Sequence, residues 1–243
     1  MFGYACHPTV LSSYQWSGDY PGFAQFDLEK ELPGTTAMFF QGCGADQNPL
    51  PRRSVGLAKQ YGLELAAAVQ NVVENPADTL FSELKMDYKE IDLALTNPPK
   101  KVALQKLATE GSGYQKRWAE RMLIGIENGE QPETTYPYPV QVWKIGEQSL
   151  FVLGGEVVVD YAIELKRIFG ENIFVMGYAN DVMSYIPSVR ILREGGYEGL
   201  SSQIVYGMPA AWSADIENKI IHACIKLAGE VGVEMPEAEL VAN

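Results

Sequence analysis

Histidine is scarce in this chain, at two residues in 243, and cysteine is scarcer than a disulfide scaffold requires. Cys6, Cys43 and Cys224 are few and odd in number, which excludes a disulfide framework as the organising principle. No apolar run approaches the length of about 18 residues that a membrane-spanning helix needs. The first residues, Met1-Phe2-Gly3-Tyr4-Ala5-Cys6, lack the basic segment and long apolar stretch of a signal peptide. They read as a strand already under way, so the chain is expected to be the rear part of a larger domain. Positive charge is in deficit too: 19 Lys and Arg against 31 Asp and Glu give a net charge of −12. Nucleic acid and anionic membrane surfaces, which need clustered cations, are not the expected partners. No internal repeat, low-complexity tract or domain linker interrupts the chain.

What is present is ordinary for a folded protein, with 47% apolar and 21% charged residues. Phe2 to Cys6 reads as a short strand, and residues 11–22 as a turn-rich loop. Phe23 to Leu32 reads as a helix stopped by Pro33-Gly34, and Thr36 to Gln41 as a buried strand. Ser54 to Val73 has helical periodicity, with Val55, Ala58, Leu65, Val69 and Val72 on one face. A strand follows over Lys85 to Leu95, then helices over Lys100 to Thr109 and Gly113 to Asn128, then a Pro/Tyr-rich connector from Pro132 to Pro139. Val140 to Ile145 and Ser149 to Leu153 flank Gly146-Glu147 as a hairpin. Val157 to Phe169 is a predicted helix, Asn172 to Tyr178 a buried strand, and residues 179–200 an irregular stretch. Ser213 is the predicted cap of a last helix with Ile216, Ile220, Cys224, Leu227 and Val231 on one face. The order predicts an α/β domain, a mixed β-sheet core flanked by helices, over residues 1–233, with a tail over 234–243.

Polar residues gather where these apolar runs end, as they do in the sites of α/β proteins. His7 ends the first strand and is stiffened by Pro8; a ligand and a hydrogen-bonded core histidine are both open readings. His222, on the last helix, reads as a surface or packing residue. Glu156 follows two glycines and is either a helix-start acid or a ligand. Asp46 either caps its own turn or, with Gln47 and Asn48, lines a site. Tyr185 and Tyr197 taken singly are half-buried aromatics. Arg190 and Arg193 between them are either anion-placing or solvated charges. Cys6 and His7 point to opposite faces of a strand, so they do not form a nucleophile–base pair. Cys43 in its Gly loop reads as a packing residue.

In order, these segments resemble the catalytic domain of the neutral/alkaline, non-lysosomal ceramidases. The pieces are Ala5-Cys6-His7-Pro8-Thr9, Asp19-Tyr20-Pro21-Gly22, and Phe39-Phe40-Gln41-Gly42-Cys43-Gly44-Ala45-Asp46-Gln47-Asn48-Pro49. They continue with Leu153-Gly154-Gly155-Glu156, then Gly177-Tyr178-Ala179-Asn180 through Tyr185-Ile186-Pro187, and Gly195-Gly196-Tyr197-Glu198-Gly199. The resemblance implies a zinc amidohydrolase, with His7, Glu156 and Tyr185 as metal ligands. It implies Asp46 as the acid next to the attacking water, Tyr197 as the phenol aimed at the scissile carbonyl, and Asn48 where the family has a substrate-contacting serine. It covers the back half of that domain. The resemblance implies that the family's other zinc histidine would lie in a region before His7, and its C-terminal sandwich domain beyond the part resembled.

The expected activity is therefore zinc-dependent hydrolysis of an N-acyl amide, ceramide or a related lipid or small-molecule amide. The expected completing partner is the missing N-terminal half of the domain or a second copy of the chain. The family is commonly exported. Two alternatives stand beside this: a non-catalytic binding module with an incomplete metal shell, and a thiol hydrolase using Cys43 or Cys6.

Overall fold

The predicted hairpin forms the middle of a four-stranded sheet. The computed structural model describes residues 1–236, so residues 237–243 of the expected tail lie outside the described residues. Strand β3 (Leu84–Ala94) pairs antiparallel along its whole length with β4 (Thr135–Ile145). Strand β4 pairs antiparallel with β5 (Gln148–Leu153), which pairs parallel with β7 (Phe174–Met176). The connector predicted over residues 132–139 is thus largely strand. Strand β5 pairs only from Val140 onward. Pro137 therefore sits where β4 has β3 alone as a paired strand. Pro139 faces Gly154 just past the end of β5; the Gly154 N–H donates to Pro139 O at 3.4 Å, and Gly154 O takes the Tyr138 hydroxyl at 2.8 Å, so the missing N–H leaves that carbonyl satisfied.

A second, smaller pair supplies the N-terminal layer. Strand β1 (Phe2–Tyr4) runs parallel to β2 (Phe39–Gln41), and helix α1 (Asp19–Glu31) crosses between them. A bridge between Gly42 and Met176 joins this pair to the edge of the main sheet. The strand expected over residues 36–41 is shorter and only half-buried. Helix α1 starts four residues earlier than Phe23, and Pro21 is tolerated because first-turn N–H groups have no helical partner. Asp19 has a structural reason: its buried carboxylate accepts the N–H groups of Val10, Leu11 and Tyr20 at 3.2, 2.8 and 2.8 Å. That ties the loop after His7-Pro8 to the helix.

Helix α2 (Val55–Glu74) is capped by Ser54, whose hydroxyl accepts the Leu57 N–H. Its buried stripe differs from the predicted one: Ala58, Gly62 and Ala66 are buried, and Val55 and Val72 are exposed. Small residues win this face because α1 packs directly on it. Helices α3 (Lys101–Glu110) and α4 (Gly113–Glu127) form a hairpin around Leu104, Trp118 and Ala119.

The main core lies between the sheet and two helices, α5 (Val159–Phe169) and α8 (Ile216–Glu230). Tyr138, Val140, Val142, Phe151 and Leu153 face Tyr161, Leu165, Phe169, Ile216, Ile220, Cys224, Leu227 and Val231. Helix α8 begins after Asp215, two residues later than the Ser213 cap predicts. The stretch expected to be irregular, residues 179–200, holds strand β8 (Tyr185–Ile186), helix α6 (Val189–Glu194) and most of a π-helical turn at Tyr197–Ser201; helix α7 (Ser202–Tyr206) follows it. The architecture is α/β, a mixed sheet with flanking helices. Among the described residues no helix is long and apolar enough to cross a membrane.

Candidate active site

Register alone sets two of the candidate residues side by side. Strand β6 (Glu156–Val157) pairs parallel with β8, with Glu156 opposite Tyr185 and Val157 opposite Ile186. Paired residues present their side chains to the same face, so carboxylate and phenol emerge together. The loop after β2 is anchored to this pair by the Ala45 N–H, which donates to Val157 O at 3.2 Å. Gly44 lets the loop lie against the end of β1, since a Cβ there would meet Cys6 N at 2.5 Å. The His7 N–H then donates to Gln47 O at 2.9 Å, and the Tyr20 hydroxyl and the Gln41 amide both donate to Cys6 O, at 2.6 and 3.0 Å. These bonds aim the imidazole over β6 and β8.

His7 Nε2 lies 3.8 Å from Glu156 Oε2 and 3.4 Å from Tyr185 Oη. It also meets Ala45 O at 2.8 Å. That carbonyl only accepts, so Nε2 carries the hydrogen of this contact. Two tyrosines outside the predicted set complete the cluster. Tyr178 Oη donates to Glu156 Oε2 at 3.0 Å and lies 3.2 Å from His7 Nδ1. Tyr206 donates to Glu156 Oε1. Burial first, and then the Glu156 carboxylate, pushes the phenols of Tyr178 and Tyr185 up; burial and the hydrogen bond to Glu156 do the same for Tyr206. All three hold their protons at neutral pH without another influence.

Tyr197 packs edge-on against Tyr185, ring centroids 5.3 Å apart, and is 46% exposed. Asp46 lies in the loop that meets His7, but its Oδ1 accepts the Val159 N–H at 2.9 Å. The helix-start role left open for Glu156 thus falls to Asp46, at α5, and Glu156 is buried among phenols instead. Asn48 Oδ1 accepts from Arg52 and Thr9, at 3.2 and 3.4 Å, and the residue lines an apolar groove of about 470 Å³ with Tyr4, Tyr20, Leu50 and Tyr61. Arg190 is engaged by Asp160 and Glu194 on the surface. His222 is exposed on α8, in a separate groove with Lys219 and Lys226. Cys43 is fully buried and burial pushes its thiol up; Cys6 is half-buried and shifted the same way.

Tyr178 and Tyr206 escape sequence reading for different reasons. Tyr178 stands in one of the quoted segments, directly after an apolar strand, but its left-handed backbone (φ 59°), which turns the side chain back toward Glu156, has no sequence signal in a tyrosine. Tyr206 ends a short helix whose position only the tertiary fold reveals.

Among the described residues no three His, Cys, Asp or Glu side chains gather as a metal centre. The His7–Glu156 pair is completed by phenols. Zinc bonds nitrogen and oxygen at about 2.0–2.1 Å, which sets tetrahedral donors roughly 3.3–3.4 Å apart. The spacings of 3.4 and 3.8 Å around His7 Nε2 fit that requirement to a few tenths of an ångström.

No protein-family model and no curated protein matches the chain. Solved structures that resemble it include two ceramidases. One is described as "Ceramidase complexed with C2", with a TM-score of 0.64 and 16% identity, covering 96% of this chain and 46% of that one. The other is neutral ceramidase from Pseudomonas aeruginosa, with a TM-score of 0.57 and 17% identity, covering 90% of this chain and 44% of that one. The chain therefore has a ceramidase-like fold and spans less than half the length of either structure.

Proposed function

We propose that this chain carries part of the active site of a zinc-dependent amide hydrolase that acts on an N-acyl amide, ceramide or a related lipid amide. The observation that carries the reading is the meeting of His7, Glu156 and Tyr185 at donor spacings suited to one small cation. The ceramidase-like fold supports it. His7 Nε2, Glu156 and Tyr185 Oη would hold the metal, and binding at Nε2 would displace the hydrogen now directed at Ala45 O. Bound zinc lowers the pKa of water toward about 7 and polarises a carbonyl.

The chain's own residues supply the remaining steps. Asp46 Oδ1 is fixed by the Val159 N–H, which leaves Oδ2 to take a proton from the attacking water and return it to the leaving nitrogen. Tyr197 donates a hydrogen bond to the carbonyl oxygen as charge develops there, a contact worth about 3 kcal/mol where such donors have been removed. Asn48, its Oδ1 held by Arg52, offers its amide N–H groups to the substrate but cannot act as an alcohol nucleophile.

Metal analysis after dialysis against zinc at neutral pH tests the site. The chain is expected to retain zinc that His7→Ala loses; equal zinc in both proteins would remove His7 from it. Asp46→Asn is expected to keep the metal and lower turnover of a fluorogenic N-acyl amide by about 10²–10⁴-fold. Retained turnover would exclude Asp46 as the base.

One observation favours a second reading, a binding module without a metal. Glu156 is already satisfied by Tyr178 and Tyr206, and His7 by Ala45, so hydrogen bonds alone hold the cluster together. Absence of zinc retention by the unmodified chain would decide for it. The buried, shifted thiol of Cys43 gives the thiol-hydrolase alternative no nucleophile there.

A further inference from the structure

We infer that the substrate carries an anionic group, a carboxylate by its geometry, close to the scissile amide, and that Arg117 and Arg121 of α4 receive it. The inference rests on the amide-hydrolase reading and names the substrate class of that site. Tyr206 is the connection. Its hydroxyl donates to Glu156, and its ring forms a wall of a pocket of about 210 Å³ shared with Tyr114, Arg117, Trp118 and Arg121. Tyr206 also packs against Tyr185, ring centroids 6.3 Å apart, which places the pocket on the flank of the candidate ligands. A cavity of this size takes a small head group and has no room for an acyl chain.

Both guanidinium groups are held by neutral partners. Arg117 lies over the Tyr114 ring, 4.8 Å from its centroid. Arg121 donates to Gly207 O, and its two terminal nitrogens occupy the space of a Cβ on that residue, which they would meet at 2.7 Å. Gly207, at φ 81°, is what allows the guanidinium to seat there. The nearest acid on the same helix face, Glu120, is taken by Lys116. Among the described residues no carboxylate lies within ion-pair distance of either arginine.

In a chain of net charge −12, two arginines without a carboxylate partner, in a pocket one tyrosine away from Glu156, are unusual company. An anionic substrate approaching a chain of this net charge meets long-range repulsion, which the arginines at the pocket offset locally. A guanidinium has five N–H donors in a planar fork that matches a carboxylate with two parallel bonds. Arg121 spends part of its fork on one carbonyl, and Arg117 spends only its face. The amide consistent with this is one whose amine half carries a carboxylate, as in an N-acyl amino acid. A neutral head group would give neither guanidinium a charged partner.

Calorimetric titration of the zinc-loaded full chain with N-dodecanoylglycine and its neutral isostere N-dodecanoylglycinamide tests this. The glycine conjugate is expected to bind about tenfold tighter or more, the scale of a charge-assisted hydrogen bond. The preference should narrow as salt is raised. Arg117→Gln, an exposed substitution read alongside zinc content and circular dichroism to show an intact fold, should erase most of it. Equal binding of the two ligands would overturn the anionic subsite and leave the amide-hydrolase reading standing. A preference undiminished in Arg117→Gln and in Arg121→Gln would overturn the assignment to α4. Failure of both ligands to bind would overturn the amide-hydrolase reading together with this one.

Discussion

At the scale of single residues, Tyr178 decides how His7 is presented. Its one hydroxyl touches both His7 Nδ1 and Glu156 Oε2, so it links the imidazole to the carboxylate on the side away from Nε2. Groups that hold a ligand's second nitrogen fix its ring and tautomer, and their removal weakens metal affinity by about 10–100-fold. Tyr178→Phe is accordingly expected to weaken zinc binding by that factor in a competition titration with a chromogenic chelator, with circular dichroism unchanged. An unaltered affinity would reduce Tyr178 to packing. Sequence reading reached His7, Glu156, Tyr185 and Tyr197 because each stands at a strand end or in a Gly-rich turn within a recognisable series. It missed Tyr178, though it ends an apolar strand in the same series, because the positive φ that turns its side chain to Glu156 has no sequence signal, and Tyr206 because only the tertiary fold brings α7 to the site.

At the scale of elements, the contact between α1 and α2 shows what periodicity leaves out. The apolar pattern of residues 54–73 correctly predicts a helix, yet the large valines it singles out, Val55 and Val72, are exposed. The helices approach so closely that Gly62 faces Tyr20, Phe23 and Ala24 directly; a Cβ there would lie 2.5 Å from Phe23 Cβ and 2.9 Å from Tyr20 O. Alanine is a better helix former than glycine by about 0.8–1.0 kcal/mol. Overpacking against backbone costs about 1–3 kcal/mol. Gly62→Ala is therefore expected to lower the stability measured by urea denaturation despite the propensity gain. A stabilised variant would show that the helices separate freely. Strand β4 makes the same point in reverse, since two prolines that read as a connector are strand, Pro137 where one side of the ladder is open and Pro139 at its edge against Gly154.

At the scale of the whole molecule, the candidate site spans two packing units. His7 is carried by the layer that Phe2, Ala24, Leu28 and Ala66 hold together, with Val10, Tyr20 and Ala58 packed separately beneath it. Val157, Tyr185 and Ile186, next to and opposite Glu156, belong to the main core. A cation shared by His7 and Glu156 would tie the two units and stabilise only the state in which they are docked. At a free zinc concentration of a hundred times Kd this amounts to about 2.7 kcal/mol. For a chain of this size each kcal/mol raises Tm by about 2–4 °C. Calorimetric melting with zinc should therefore show a rise of several degrees that His7→Ala abolishes. An equal rise in the variant would place the stabilising zinc elsewhere.

The sequence by itself determined the α/β architecture, the hairpin at Gly146-Glu147, the α3–α4 pair and the buried face of α8. These follow from periodicity and turn chemistry, which act between residues close along the chain. Only the tertiary structure decided that Glu156 pairs in register with Tyr185, that Asp46 caps a helix 113 residues away, and that two further phenols enclose the carboxylate. Strand register and helix approach depend on which distant surfaces fit together, and no local pattern encodes that fit.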